Sequence, residues 1–452
     1  MDLQKTTQEY YQDIKTFLED ESYNEAIKEF LSLHPNDQVE VYDLLSINER
    51  ELILTRMGVL ETAQLFSLQE DQDTLEAAES LSIERLADVL DEMAPDEAAD
   101  LLLDLPPQQA AEALEQMEDA EEILPLLEFP DETAGGRMTT EYIAINQDVT
   151  ANQAIDQLRQ ISPDSNVPYY IFVIDQHKKL TGITGLRELV VNPPSAPIKS
   201  IMNPEVISVD AWLDQEQVSN VMAQYDLSAL PVVNRRHELI GVITHDDILD
   251  VIQEEATEDI YMLASVTDAE LEPDSPIIEQ LKGRLPWLVL NMLTALFAAW
   301  VISNFEDIIA LVAVLAVFQS VVAGLGGNAA SQSVAMFVRS IALGKVPTGK
   351  TASLLLRQML VGLMQGMTIG IVVGIGVTIW KGNPYLGLVL GLALVGNLIL
   401  AGIVGTLAPL GLKAIGQDPA MASTVLVTAV TDSLGFFIFL SLAKFFLPNL
   451  LK

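Results

Sequence analysis

TVLVTAVTDSLGFFIFLSLA, residues 424–443, carries one charge in twenty positions, Asp432. About twenty apolar residues are what a helix needs to cross the hydrocarbon of a bilayer. Outward from it, residues 285–304, 308–338, 358–380 and 382–412 are charge-free, and 419–443 is broken only by Asp432. Each stretch is long enough for one span and too short for two with a turn, so the pattern predicts five transmembrane helices. The two longest, 308–338 and 382–412, are expected to tilt or to overrun the hydrocarbon at one end.

Charge divides the chain at the same place. From Gly283 onward there are four acids and nine bases, and residues 1–282 hold the other 60 acids and 15 bases, so a part near −45 precedes a part near +5. A field that negative repels nucleic acid and concentrates cations, which excludes nucleic acid as a partner. The chain has no cysteine, and His34, His177, His237 and His245 are too scattered for a zinc site. The opening MDLQKTTQEYYQDIK has no apolar core after a basic start, so no cleaved signal is expected. Arg339, Lys345, Lys350 and Arg357 follow span two and Lys413 follows span four, whereas Glu306 and Asp307 follow span one and Lys381 follows span three. Positive loops favour the cytoplasm. A multi-pass protein of the cell (inner or plasma) membrane is therefore expected, with its N-terminus cytoplasmic and its C-terminus outside.

Residues 1–130 read as short helices. SIERLADVLDEMAPDEAADLLLDLPPQQAAEALEQM (82–117) has apolar residues at i, i+3, i+4 spacing, punctuated by Pro95 and Pro106-Pro107. Proline suits a helix's first turn and stops the preceding helix, which suggests a superhelical array. From Met138 an internal repeat appears: 138–158 echoes 202–222, and VPYYIFVIDQHKKLTGITGLREL (167–189) echoes LSALPVVNRRHELIGVITHDDIL (227–249). Each copy reads as strand, helix, two apolar strands around a turn, and a closing helix. That order resembles a tandem pair of CBS domains, which implies a regulatory scaffold with ATP as a candidate ligand. The expected fold is thus multidomain. It comprises an acidic all-α superhelical N-terminal domain (1–130), an α/β tandem CBS pair (131–200 and 201–252), a connecting, plug-like helix (253–282) and an all-α transmembrane domain of five helices (283–452).

Asp432 is the sharpest chemical signal. A charged side chain at mid-bilayer costs about 2.5–3.5 kcal/mol even on lenient scales, and normally faces a pathway or a partner. No Lys or Arg at similar depth is available to pair with it, which favours a cation as counter-charge. Thr428, Thr431, Ser433 and Gly435 surround it; Thr428 and Thr431, with Gly324, Gly327 and Asn328 of GLGGNAASQSV (324–334) in span two, are pore-lining candidates, the span-two residues serving equally as close packing between helices. Two such carboxylates across a symmetric dimer would form an acidic ring suited to hydrated Mg²⁺, which gives up its waters reluctantly. A second constellation is cytoplasmic: Asp214, Glu216, Asp226, Asp247, Asp250, Glu255, Glu258 and Asp259, with Asp88 and Asp91 in the helical array. Such runs are usually solvated surface. Carboxylate faces that approach one another nonetheless repel unless hard cations neutralise them, which would supply a switch.

At this point the chain resembles the MgtE family of magnesium channels over nearly its whole length. The matching pieces are FPDETAGGRMTTEYIAI (129–145), the CBS pair, GVITHDDILDVIQEEATEDI (241–260), RLPWLVLNMLTA (284–295), GLGGN and SQS within 324–333, and DPAMAS followed by TD and Gly435 within 418–435. The resemblance implies a homodimer with five spans per chain and a pore at the dimer interface. It implies that Asp432 is the pore metal ligand, and that regulatory Mg²⁺ binds the cytoplasmic acids named above and closes the pore. Ser320 and Val425 stand where the family usually has prolines. Rival readings are a proton-coupled divalent-cation transporter and a non-conducting membrane Mg²⁺ sensor. No nucleophile–base pair or phosphate loop suggests an enzyme.

Overall fold

The computed structural model describes residues 6–69, 71–161, 170–267, 271, 273, 275–346, 349–421 and 424–451. Outside them lie the start of the predicted strand at 167–169, positions 268–270, 272 and 274 of the predicted connecting helix, and the end of DPAMAS, 422–423. The chain divides into two compact units, Met1–Val251 and Ile252–Lys452.

In the first unit, helices follow one another with tight turns: α1 (Thr7–Glu19), α2 (Tyr23–Phe30), α3 (Pro35–Asp43), α4 (Ile47–Leu54), α5 (Val59–Phe66), α6 (Asp71–Glu79), α7 (Ile83–Glu92), α8 (Pro95–Asp104), α9 (Pro107–Gln116) and α10 (Ala120–Ile123). Proline starts α3, α8 and α9 as the first helical residue, where its missing N–H costs nothing. Capping boxes start α1 and α4, where Thr6 and Ser46 exchange bonds with Glu9 and Glu49.

The repeat folds as two copies of one unit. The first has β1 (Ala144–Asn146), α11 (Ala151–Ile161), β2 (Tyr170–Ile174), β3 (Leu180–Gly185) and α12 (Leu186–Val191), and α13 (Ile198–Ile201) leads out of it. The second has β4 (Val209–Asp210), α14 (Gln215–Tyr225), β5 (Ala229–Val233), β6 (Leu239–Thr244) and α15 (His245–Leu263). Each sheet pairs its first two strands parallel and its last two antiparallel. The copies interlock. Thr139 exchanges two backbone bonds with Val242 of β6, and Asn203 does the same with Ile183 of β3. Gly241 and Gly182 make this possible, because a Cβ on either would lie 2.4 Å or 2.6 Å from the sulfur of Met138 or Met202. Phe172, Leu180, Ala229, Leu239 and Val242 form the shared core between the copies, and the helical array is continuous with the second copy through Val209, Val232, Ile243 and Ile248.

The second unit holds five helices long and apolar enough to span a membrane: α16 (Ile277–Ser303), then, after the short α17 (Glu306–Leu311), α18 (Val314–Ala342), α19 (Thr351–Lys381), α20 (Pro384–Ala414) and α21 (Thr424–Phe445), with α22 (Leu447–Leu450) last. The charge-free stretch 308–338 is not one helix. It breaks after α17 at Val312, and the span begins at Val314. The span predicted to start near 285 begins at Ile277, inside the segment assigned to the connecting helix, which itself is the continuation of α15 to Leu263. Helix α18 runs unbroken through Ser320, and Val425 is the second residue of α21. Phe439, Leu440, Leu390, Leu394 and Val322 are fully buried at the centre of this unit.

Candidate functional site

Asp432 sits midway along α21, half-buried, with no hydrogen bond or ion pair among the described residues. The face at i−4 carries Thr428, which meets α18: a Cβ on Gly327 would lie 3.1 Å from the Thr428 methyl. Gly327 is buried by that contact, while Gly324 and Asn328, four residues apart on one face of α18, are exposed, with nothing within 4 Å of a Cβ built at Gly324. Thr431 differs from the lining expected of it. It is 0 % exposed, and its hydroxyl donates back to Val427 and Thr428 of its own helix.

The α18–α21 pair is set by a residue that sequence reading missed. Asn397 of α20 is completely buried. Its Nδ2 donates to the Val322 carbonyl at 2.9 Å, and its Oδ1 has no partner among the described residues. The amide lies flush against Gly326 and Gly435, where a Cβ would approach its nitrogen to 2.1 Å and 2.7 Å. One side chain therefore fixes α18 two residues from Asn328 and α21 three residues from Asp432.

At one end of this bundle Met262 and Leu263, the last turn of α15, pack on Ala330, Val334, Val338, Ala420 and Val427. One turn earlier, Asp259 loses water by burial and faces the negative Asp418, which together push its carboxyl up to about 6, against the partial relief of Arg339. Asp418 accepts from the Ala420 N–H at 2.8 Å. Glu255 and Glu258 lie half-buried on the same stretch of α15. Asp418 was not among the sequence candidates, although it opens the matching piece DPAMAS.

The first unit brings a different set together from the one expected. Asp247, in the first turn of α15, accepts from the Thr244 N–H and hydroxyl, and burial raises its carboxyl above the usual range. Facing it are Asp96 and Glu97 at the start of α8. Asp96 is pushed up to about 7, by burial first and then by the Asp247 charge; Thr139 bonds its carboxyl, and its Oδ1 is buried without a partner. Glu97, bonded by the Ser67 hydroxyl, is raised by the same two causes. Asp88 is exposed, and Asp91 spends both oxygens on the backbone N–H groups of Glu118 and Asp119, at 2.9 Å and 3.1 Å. Asp214 caps α14 by accepting from the Glu216 N–H, Glu216 is half-buried in that first turn, Asp226 ends α14 in a left-handed turn, and Asp250 is exposed. No group of three or more His, Asp or Glu side chains converges to hold a metal among the described residues.

The MgtE family, described as a divalent cation transporter, matches residues 319–442; the MgtE intracellular N domain matches 11–132, and a CBS domain matches 198–254, the second copy. The chain is 34% identical over 437 residues to the magnesium transporter MgtE of Thermus thermophilus, covering 93% of this chain and 95% of the relative. It is 35% identical over 444 residues to the magnesium transporter MgtE of Enterococcus faecalis, covering 95% of each. A solved cytosolic domain of the Mg²⁺ channel MgtE in complex with ATP is 30% identical and superposes with a TM-score of 0.51 over 53% of this chain and 99% of that one. On this likeness, end to end and across the soluble and the membrane parts alike, the chain belongs to the MgtE family.

Proposed function

We propose that this chain conducts Mg²⁺ across the membrane as a homodimer, along the face of α18 and α21 that carries Asn328, Thr428 and Asp432, and that cytoplasmic Mg²⁺ closes the path. The observation that carries the reading is Asp432: a carboxylate in the middle of an apolar helix, with no partner among the described residues. A lone intramembrane acid is tolerated where a hydrated cation passes beside it. Two copies facing each other make a ring that attracts a divalent ion without stripping it of water. The magnesium transporters named above agree with that cargo, and the positive loops after α18 and α20 favour a cytoplasmic soluble unit with the C-terminus outside.

Closure follows from the seat of α15. Asp259 and Asp418 repel across a partly dehydrated gap, which loosens Met262 and Leu263 from α18 and α21. A divalent ion between the carboxylates reverses the sign of that interaction and holds the helix down. Glu255, Glu258, Asp247 with Asp96 and Glu97, the half-buried Glu216 and the exposed Asp214, Asp226 and Asp250 supply further regulatory carboxylates. Asp91, committed to two backbone bonds, is a structural cap in this reading. ATP is the candidate ligand of the CBS pair, a reading supported by the solved cytosolic domain in complex with ATP that this chain resembles.

Divalent-ion flux into liposomes containing the full chain, with internal Mg²⁺ varied, tests both halves. Flux that falls as internal Mg²⁺ rises supports the reading, and the triple variant Asp247→Asn, Asp250→Asn, Glu258→Gln should keep conducting at high Mg²⁺. Flux that requires a proton gradient supports a coupled carrier instead, and no flux at any Mg²⁺ level supports a sensor.

A further inference from the structure

Helices α18 and α19 both pack on α20 rather than on each other. The floor of the gap between them is a step of small residues on α20. A Cβ on Gly405 would lie 2.6 Å from the Cβ of Ser333 in α18, and one on Gly402 would lie 2.8 Å from the carbonyl of Gln358 in α19. What is left between the two helices is a cleft of about 540 Å³, lined at the loop end by Lys345 and Val346.

Its lining combines bases, amides and apolar side chains. Lys345 and Arg357 stand at the mouth, and neither has an ion-pair partner among the described residues. The amide of Gln358 lies beside them; Gln332 and Gln365 continue the polar lining inward, with no hydrogen bond to any described residue. Gln365 is eight residues beyond Arg357, about 12 Å along the helix axis. Ser333 and Ser340 add hydroxyls, and Met336, Phe337, Leu354 and Val361 supply most of the apolar wall. Open amides at membrane depth are costly unless something satisfies them, and two bases at the end of an apolar span make a poor seat for a neutral chain.

We propose that this cleft binds the headgroup of an anionic phospholipid from the cytoplasmic leaflet. The phosphate lies between Lys345 and Arg357 in charge-assisted bonds. The ester carbonyls accept from the glutamine amides, and an acyl chain runs along the exposed Met336 and Val361. Basic pockets between membrane helices on the cytoplasmic side suit such headgroups, and here two bases near the loop end, amides further along the spans and apolar side chains beside both offer a partner to each part of a phospholipid. The inference rests on the orientation of the loops, and is independent of whether the chain conducts.

The test is native mass spectrometry of the full chain released from nanodiscs of phosphatidylcholine mixed with phosphatidylglycerol, with retained lipid counted at each composition. The wild type should retain phosphatidylglycerol in preference to phosphatidylcholine. Lys345→Gln with Arg357→Gln should weaken that retention about thirty-fold, the sum expected of two surface bases. Lys350→Gln, in the same loop but outside the cleft, should leave it unchanged. Inorganic phosphate at millimolar concentration should not displace the lipid. Equal retention of the two lipids by the wild type, an equal loss in Lys350→Gln, or displacement by inorganic phosphate would each overturn the assignment; so would a dimer whose partner fills the cleft and leaves it lipid-free.

Discussion

Gly435→Ala should cripple this protein through Asn397. The added methyl would sit 2.7 Å from Nδ2 and 2.8 Å from Cγ and Oδ1 of that side chain. The amide has nowhere to go. It is fully buried, its other side lies against Gly326, and moving it breaks the 2.9 Å bond to Val322. Overpacking of this kind costs about 1–3 kcal/mol, and stranding a buried amide costs a similar amount, so a loss of about 2–3 kcal/mol is expected. Asn397→Ala alone removes packing and one hydrogen bond, for about 1–2 kcal/mol. In the double variant the clash disappears, and the combined loss should fall short of the sum by about 2 kcal/mol, well beyond the scatter for independent sites. Unfolding midpoints in detergent titrated with denaturing surfactant give all three values, and ion flux should return with stability in the double variant. Losses that add to within about 0.5 kcal/mol would refute the clamp.

Other outcomes follow from the acidic groups. The Asp259 carboxyl is raised from 3.8 to about 6, so its stabilising effect is complete below the ordinary carboxyl value and is lost as pH rises through about 6; a thermal melt of the membrane unit should fall across that window, and Asp259→Asn should flatten the profile and raise stability above it. Asp91→Ala should lower the unfolding midpoint of the soluble unit, at a cost of about 1 kcal/mol or more for two lost backbone bonds, while leaving the Mg²⁺ dependence of flux unchanged. Asp96→Asn should raise the stability of the soluble unit at pH 8 and weaken its response to Mg²⁺, read as Mg²⁺-dependent protection from protease; an unaltered response would remove Asp96 from the regulatory surface.

The membrane architecture was legible because hydrocarbon imposes a length and forbids charge, so five charge-poor stretches had to become five helices. The break at Val312 was not, since a helix end within an apolar run leaves no charge to mark it. The CBS pair was readable from its repeat, and the N-terminal helices from Pro95 and Pro107 in their first turns. Single polar residues in spans carry different amounts of signal: Asp432 is conspicuous because a charge is expensive there, whereas Asn397 looked like one more small polar residue until its burial between two glycines was seen. The regulatory acids were least legible. With 60 acids in 282 residues, composition cannot tell Asp91, which caps a turn, from Asp96, which faces Asp247; only the fold decides which carboxylates lose their water together.

The central claim is that a cation passes beside Asp432. Mg²⁺ flux into liposomes should be abolished by Asp432→Ala, with expression, folding and dimer formation close to those of the wild type. Flux at the wild-type rate in that variant would contradict the account.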